Sequence, residues 1–273
     1  SPVPHLDRTF DYLVPAALAQ QALPGTRVMV RFGEQEMRGW IWERGATTTH
    51  IGRLSALRRV VSDLQVLPAS SRRLVEAVAS RSCGTRSDVI RLAVPARHAT
   101  TEKKERDKAP LNLPAWEHTS SSEQSWHPYD GGEEFLRRLA DGEAPRVVWS
   151  ALPAQPGPHQ ARLSGGDGRP VAVVEPWQVC LARAVHATLV SSRSAVVVVS
   201  TTHQAETLAA WLGRELEGEP VVVLSAEHGP ARRYRAFLTL LLGRARVVVG
   251  TRAAAFAPVH RLGLAAVWDD GDN

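Results

Sequence analysis

Four short, almost wholly apolar runs recur in the last third of the chain: 195–200 (AVVVVS), 220–225 (PVVVLS), 246–250 (RVVVG) and 264–268 (LAAVW). A strand with one wet face alternates apolar and polar residues, whereas an unbroken valine run is buried on both faces. Stretches of helical spacing separate these runs, at about 204–216 and 230–242, and another precedes them at 176–190, with Pro176 suited to a first turn. Strands buried on both sides and joined by helices predict a parallel sheet covered by helices. A fifth run, 146–151 (RVVWSA), follows the short helical stretch EEFLRRLADG and reads as the first strand of that sheet.

The first hundred residues follow another pattern. Segments 8–14 (RTFDYLV), 27–32 (RVMVRF) and 37–43 (MRGWIWE) read as strands. Pro24-Gly25 supplies one turn, and Gly33 a hairpin position, because glycine tolerates positive φ. Pro68 opens a helix running through Leu74, Val75 and Val78, and a second helix over 88–94 stops at Pro95. Between the two patterns, TTEKKERDKAP is charged and AWEHTSSSEQSWHPYDGG is rich in Ser, Pro and Gly. Neither has an apolar period, so 99–132 is expected to be a flexible linker onto which Trp116 and Trp126 can still dock. The expected fold is α/β, with a β-rich unit over 1–98 and a parallel-sheet lobe over 133–273.

Charge narrows the function. Residues 1–100 hold 14 basic and 8 acidic side chains, net +6, while 101–135 are net −4 and 136–273 net +3. A basic first hundred residues suits a binder of phosphate backbones, and also follows from a composition that writes arginine freely. Only Lys103, Lys104 and Lys108 are lysines, all in one polar stretch, which excludes lysine chemistry elsewhere. The sequence has no run of about 18 apolar residues that a membrane helix needs. Its first ten residues lack the pattern of a secretory signal. Cys83 and Cys180 are too few for a disulfide framework or a thiolate zinc site, and the ten histidines show no metal spacing, so a reducing cytoplasm is expected.

Ligands of open parallel sheets bind at the carboxyl ends of the strands. There lie 150–151, 200–202, 225–226, Gly250-Thr251-Arg252 and Asp269-Asp270-Gly271-Asp272. Carboxylates straight after an apolar strand hold magnesium in RecA-type ATPases, with Asp269 the candidate ligand; an Asx-rich turn is the alternative. A phosphate loop needs glycines and a lysine after the first strand. This chain instead has Pro153, Pro156 and Pro158, no lysine, and a Gly165–Gly168 stretch better read as a turn. Arg162 or Arg169 would be a differently shaped substitute for that lysine. The small residues and arginine of 250–256 (GTRAAAF) suit contact between Thr251, Arg252 and a nucleic-acid strand, with a buried structural Arg252 as the alternative.

In order, DRTFDYLVP (7–15), PGTRVMVRFG (24–33), LRRVV (57–61), DVIRLAVPAR (88–97), GTRAAAF (250–256) and LGLAAVWDDGD (262–272) resemble the PriA family of bacterial replication restart. The resemblance implies a 3′-DNA-end-binding domain followed by a RecA-like helicase lobe 1. It places the pocket for a terminal 3′-OH nucleotide on Phe10, Asp11, Tyr12, Gly33 and Arg58. An aromatic can stack on the last base and a carboxylate can accept a bond from the free 3′-OH. A continuing chain would bring phosphate against that carboxylate.

Departures from the family are equally informative. The Walker A loop is missing, the acidic motif reduces to Asp269 and Asp270, and the winged-helix insertion is replaced by the short linker. This is similar to the actinobacterial branch, whose helicase motifs are degenerate. The family uses ATP with magnesium, and zinc in a region expected beyond Asn273, so the chain is expected to be an N-terminal piece. Implied partners are forked and single-stranded DNA, primosome proteins, the replicative helicase it helps reload, and single-strand-binding protein. ATP hydrolysis is not expected; the rival readings are an active 3′-to-5′ helicase and a generic nucleic-acid-binding module.

Overall fold

The computed structural model describes residues 7–117, 125–152, 162–164, 170–173 and 176–268. The chain divides into two compact units, 1–96 and 97–273.

In the first unit β1 (Arg27–Phe32), β2 (Gln35–Trp40) and β3 (Arg59–Ser62) form an antiparallel sheet in the order β2-β1-β3. Gly33, at φ +60°, turns β1 into β2 in two residues, as its permissive backbone predicts. Val28 is buried with Ala22 and Leu57 on one face, where Val14, Leu18, Val30, Ile41 and Val60 add partly buried surface. Helix α1 (Ala69–Arg81) begins after Pro68, and α2 (Arg86–Ala93) is capped by Thr85, whose side chain accepts from Asp88 N.

The strand expected over 8–14 does not form. Leu13 alone makes a parallel bridge to Ala56, with Leu13 N donating to Ser55 O at 3.0 Å and Leu57 N to Leu13 O at 2.9 Å. Arg8, Thr9, Phe10, Asp11 and Leu13 are all exposed, so the segment has no buried face to hold a ladder in register.

The second unit opens with α3 (Ala99–Arg106) and α4 (Gly132–Ala140). An antiparallel hairpin follows, β4 (Arg162–Ser164) and β5 (Pro170–Val173), and the Gly165–Gly168 stretch lies outside the described residues. Then come α5 (Pro176–Val190), β6 (Ser194–Val198), α6 (Thr202–Glu215), β7 (Val221–Leu224), α7 (Pro230–Leu241), β8 (Val247–Gly250), a 3-10 turn (Arg252–Phe256) and β9 (Leu262–Val267). The four strands β6–β9 pair in parallel in the order β7-β8-β6-β9. Both faces are covered, as the valine runs require. Val197 and Val249 pack among Leu181, Val185, Leu189, Leu208 and Leu212, while Val196 and Val248 pack on the other side with Leu224, Leu240 and Ala254. This is the α/β architecture of a RecA-like lobe. No described helix is long and apolar enough to cross a membrane.

Two expectations fail here. The stretch read as a flexible linker contains α3, which is held by charge rather than by an apolar stripe. Glu102 is buried and takes Arg97 Nη2 at 2.9 Å, and the Tyr234 hydroxyl of α7 donates to it. Glu105, also buried, meets Lys108 Nζ at 2.7 Å, Arg244 at 3.5 Å and Arg235 at 3.6 Å. Trp116 lies edge-on to His186, and buried Trp126 donates to Cys180 O at 2.7 Å. The second failure is 146–151, which forms no strand. Val147 and Val148 are exposed, and the segment is anchored by Trp149, which packs against Trp126, Tyr129 and Trp268.

Candidate nucleic-acid interface

Residues 7–14 run as a strip held at both ends. At one end Asp7 sits at the start of α2, accepting from Arg86 N at 3.1 Å on both carboxylate oxygens, while Arg86 Nη2 returns a 3.1 Å bond to Asp7 O. At the other end is the Leu13 bridge to Ala56. The strip borders an open groove of about 770 Å³ whose walls include Phe10, Asp11, Tyr12, Phe32, Trp42 and Thr48.

Each side chain of the strip has a distinct contact. Phe10 meets Phe32 edge-on at 5.0 Å, and the Arg8 guanidinium lies 4.9 Å from the Phe10 ring centre, a cation–π geometry. Tyr12 Oη donates to Arg31 O at 3.1 Å, and partial burial raises its pKa, keeping the hydroxyl a neutral donor. Asp11 is exposed, and its Oδ2 accepts from the Thr48 hydroxyl. Thr48 Oγ1 in turn accepts from His50 N at 3.0 Å, which orients its proton toward the carboxylate. Among the described residues, no donor reaches Asp11 Oδ1. The groove therefore offers aromatic surface beside a carboxylate with one oxygen available.

Phe10, Asp11 and Tyr12 thus come together on one wall. Gly33 and Arg58 do not join them. Gly33 sits in the β1–β2 turn with open space beside it, and Arg58 is exposed with its backbone N–H on Met29 O at 3.1 Å; neither lines the groove. Phe32, Trp42 and Thr48 were missed by sequence reasoning. The alternation of β1 puts Phe32 on the face of Val28 and Val30, a signal that could have found it. Thr48 lies in an irregular loop with no pattern to mark it.

In the second unit the strand ends converge as the parallel sheet dictates. Ser225 Oγ, just after β7, and Thr202 Oγ1, at the first residue of α6, are 2.7 Å apart. Thr251 precedes the 3-10 turn after β8, and Arg252 is exposed, which removes the buried structural reading of that arginine. Asp269, Asp270 and 153–161 of the candidate phosphate loop lie outside the described residues. Just before Asp269, Trp268 stacks on Trp177 of α5 with ring centres 4.1 Å apart and planes at 8°. Among the described residues, no three His, Cys, Asp or Glu side chains converge as a metal site.

Comparison with known proteins now adds to this geometry. Residues 1–95 match the family model of the PriA 3′ DNA-binding domain. Over 99% of its length the chain is 43% identical to the probable replication restart protein PriA of Mycobacterium tuberculosis, and 41% identical to that of Mycobacterium leprae. It spans 38% of the length of these relatives. Residues 1–95, which hold the strip and the three-stranded sheet, therefore carry the 3′ DNA-binding domain of the PriA family, and the rest of the chain continues the similarity to these PriA proteins.

Proposed function

We propose that the first unit receives the free 3′-OH end of a DNA strand at a branched or stalled fork, as part of a cytoplasmic replication-restart protein that helps reload the replicative helicase. The observation that carries this reading is Asp11, exposed on the groove wall between Phe10 and Tyr12 with one carboxylate oxygen unengaged. A terminal hydroxyl donates to that oxygen. A 3′-phosphate in its place sets two anions against each other without a screening cation, so the site prefers ends to continuing strands. Phe10 and Phe32 supply the apolar surface on which a last base can rest.

The test is a comparison of forks ending in 3′-OH and in 3′-phosphate. The native protein binds the hydroxyl end about tenfold more tightly, the size of one charge-assisted hydrogen bond in partial solvent. Asp11→Asn narrows that ratio to about twofold or less, since a neutral amide no longer repels phosphate. Equal affinity for the two ends in the native protein defeats the reading.

For the second unit we propose a DNA-contacting and partner-loading platform that does not turn over ATP. Residues 133–273 contain no lysine, so a bound triphosphate would lack the cation that conventional phosphate loops supply. Thr251 and Arg252, exposed or half-exposed after β8, are the proposed contacts to single-stranded DNA, and the primosome and single-strand-binding proteins are the proposed partners. The full-length protein is expected to show no DNA-stimulated phosphate release above background. Turnover of about one per second, an ordinary enzymatic rate, would establish the active-helicase reading instead.

A further inference from the structure

The antiparallel sheet carries arginine across its strands, and one end of that row reaches the groove, whose lining includes Arg38 of β2. Side chains alternate along a strand, so Val28, Val30 and Phe32 of β1 share the groove face while Met29 and Arg31 point the other way. The register sets Met29 opposite Arg38 of β2 and opposite Arg59 of β3. Directly opposed residues project to the same side, so Arg38, Met29 and Arg59 form one row across all three strands.

Both arginines of this row are exposed, and among the described residues neither has an ion pair or a side-chain hydrogen bond. Several other arginines of the unit are engaged, Arg27 with Pro95 O, Arg44 with Ala19 O, Arg86 with Asp7 and Arg91 with Asp88, while Arg53, Arg58, Arg73 and Arg81 are exposed like the row but lie outside it. Near the row in sequence, Glu34 pairs with Arg31 at 3.5 Å, Glu36 lies opposite Arg31, and Asp63 follows β3. Two guanidinium groups on strands β2 and β3, which lie about 10 Å apart with β1 between them, and with the uncharged Met29 in the middle of the row, form a surface complementary to an anion.

We propose that the Arg38–Met29–Arg59 row is a second DNA contact, holding the phosphate backbone of the duplex arm that leads to the 3′ end. The choice of DNA as the polyanion rests on the end-binding reading above. The row contains no aromatic on which an unpaired base could stack, which favours a duplex backbone over a single strand. Continuity supports the same molecule: Arg38 itself lines the groove, so the row runs on from the wall of the end site. The arginines act through charge, so the contact is independent of sequence and of the chemistry of the strand end.

The experiment titrates the 273-residue chain against a fork with a recessed 3′-OH end over about 50–250 mM salt. Each phosphate neutralised adds about 0.9 to the slope of log affinity against log salt. The double variant Arg38→Ala/Arg59→Ala is expected to make that slope shallower by about 1–2 and to weaken binding about tenfold near physiological salt. Arg59→Ala alone, at the end of the row outside the groove lining, leaves the preference for 3′-OH over 3′-phosphate native. Arg38→Lys/Arg59→Lys restores the slope, because a phosphate contact needs the charge rather than the fork. The control is Arg73→Ala/Arg81→Ala, which removes two exposed arginines of α1 and leaves the slope unchanged. A native slope in the Arg38/Arg59 variant overturns the proposal, as does an equal loss in the α1 control. Failure of the groove reading looks different: the native protein then shows no end preference, whatever the slope.

Discussion

Arg246→Ala is expected to cost the chain about 3–5 kcal/mol of folding stability, read as a fall in its urea midpoint. Glu219, with a fully buried side chain, takes Arg246 Nη2 at 2.5 Å and Arg246 Nε at 3.3 Å, and accepts from Trp116 Nε1 at 3.3 Å. Arg246 Nη2 also donates to Pro114 O at 2.7 Å. The guanidinium therefore does two jobs. It neutralises a carboxylate that no water can reach, and it fastens 114–116 to the start of β8. Truncating it leaves the carboxylate buried with only the Trp116 indole and a backbone N–H for partners, and that uncompensated charge is the large term. The double replacement Glu219→Leu/Arg246→Met should recover most of the loss, because it removes the charge together with its partner. A loss below about 1 kcal/mol in Arg246→Ala would mean that water enters to solvate Glu219.

The same pair shows where sequence reading reaches its limit. The valine runs announced β6 to β9 and their parallel pairing because burial on both faces is written locally, one residue after another. Gly33 was equally legible, since a hairpin turn makes a demand on a single backbone position. The described part of the 99–132 stretch was not. Its order comes from Glu102 meeting Arg97 and Tyr234, and from Trp116 meeting Glu219, pairs separated by 5, 132 and 103 positions. A long-range ion pair leaves no periodicity in the chain that makes it, so a charged helix held by buried partners looks like a solvated linker. RVVWSA failed for the opposite reason. It has the composition of a buried strand, yet Trp149 ties it to an aromatic cluster and Val148 faces solvent.

The candidate site divides along the same line. Asp11 was identified through the family's motif and not through any local physical signal, since an exposed aspartate in an extended segment is unremarkable by itself. Its setting came only from the fold: the Thr48 hydroxyl, 37 residues away, and Phe32 on the neighbouring strand. The arginine row was invisible in sequence, because Arg38 and Arg59 become neighbours only through the register of two strands on Met29.

Gly250→Ala is expected to destabilise the chain by about 3 kcal/mol, a drop of roughly 6–12 °C in thermal midpoint for a unit of this size. Gly250 ends β8 opposite Leu224 of β7, with an ordinary negative φ, so backbone freedom is not what it supplies. What it supplies is space. A Cβ there would lie 2.0 Å from Leu224 O and 2.9 Å from the Ala254 Cβ, and the first of these contacts is with backbone that cannot rotate away. Relief requires β7 and β8 to part at their carboxyl ends, or the 3-10 turn that follows to shift, and Ala254 in that turn is fully buried. Gly213 provides the opposite case within the same unit. It lies in α6 with nothing within 4 Å of an added Cβ, so Gly213→Ala gains helix propensity and should stabilise by about 0.5–1 kcal/mol. The two changes add the same methyl group, and their opposite signs follow from what each methyl would meet. Equal shifts in midpoint would show that the end of β8 is loose enough to absorb a side chain, and the strand-end corner that presents Thr251 and Arg252 would then not be rigid.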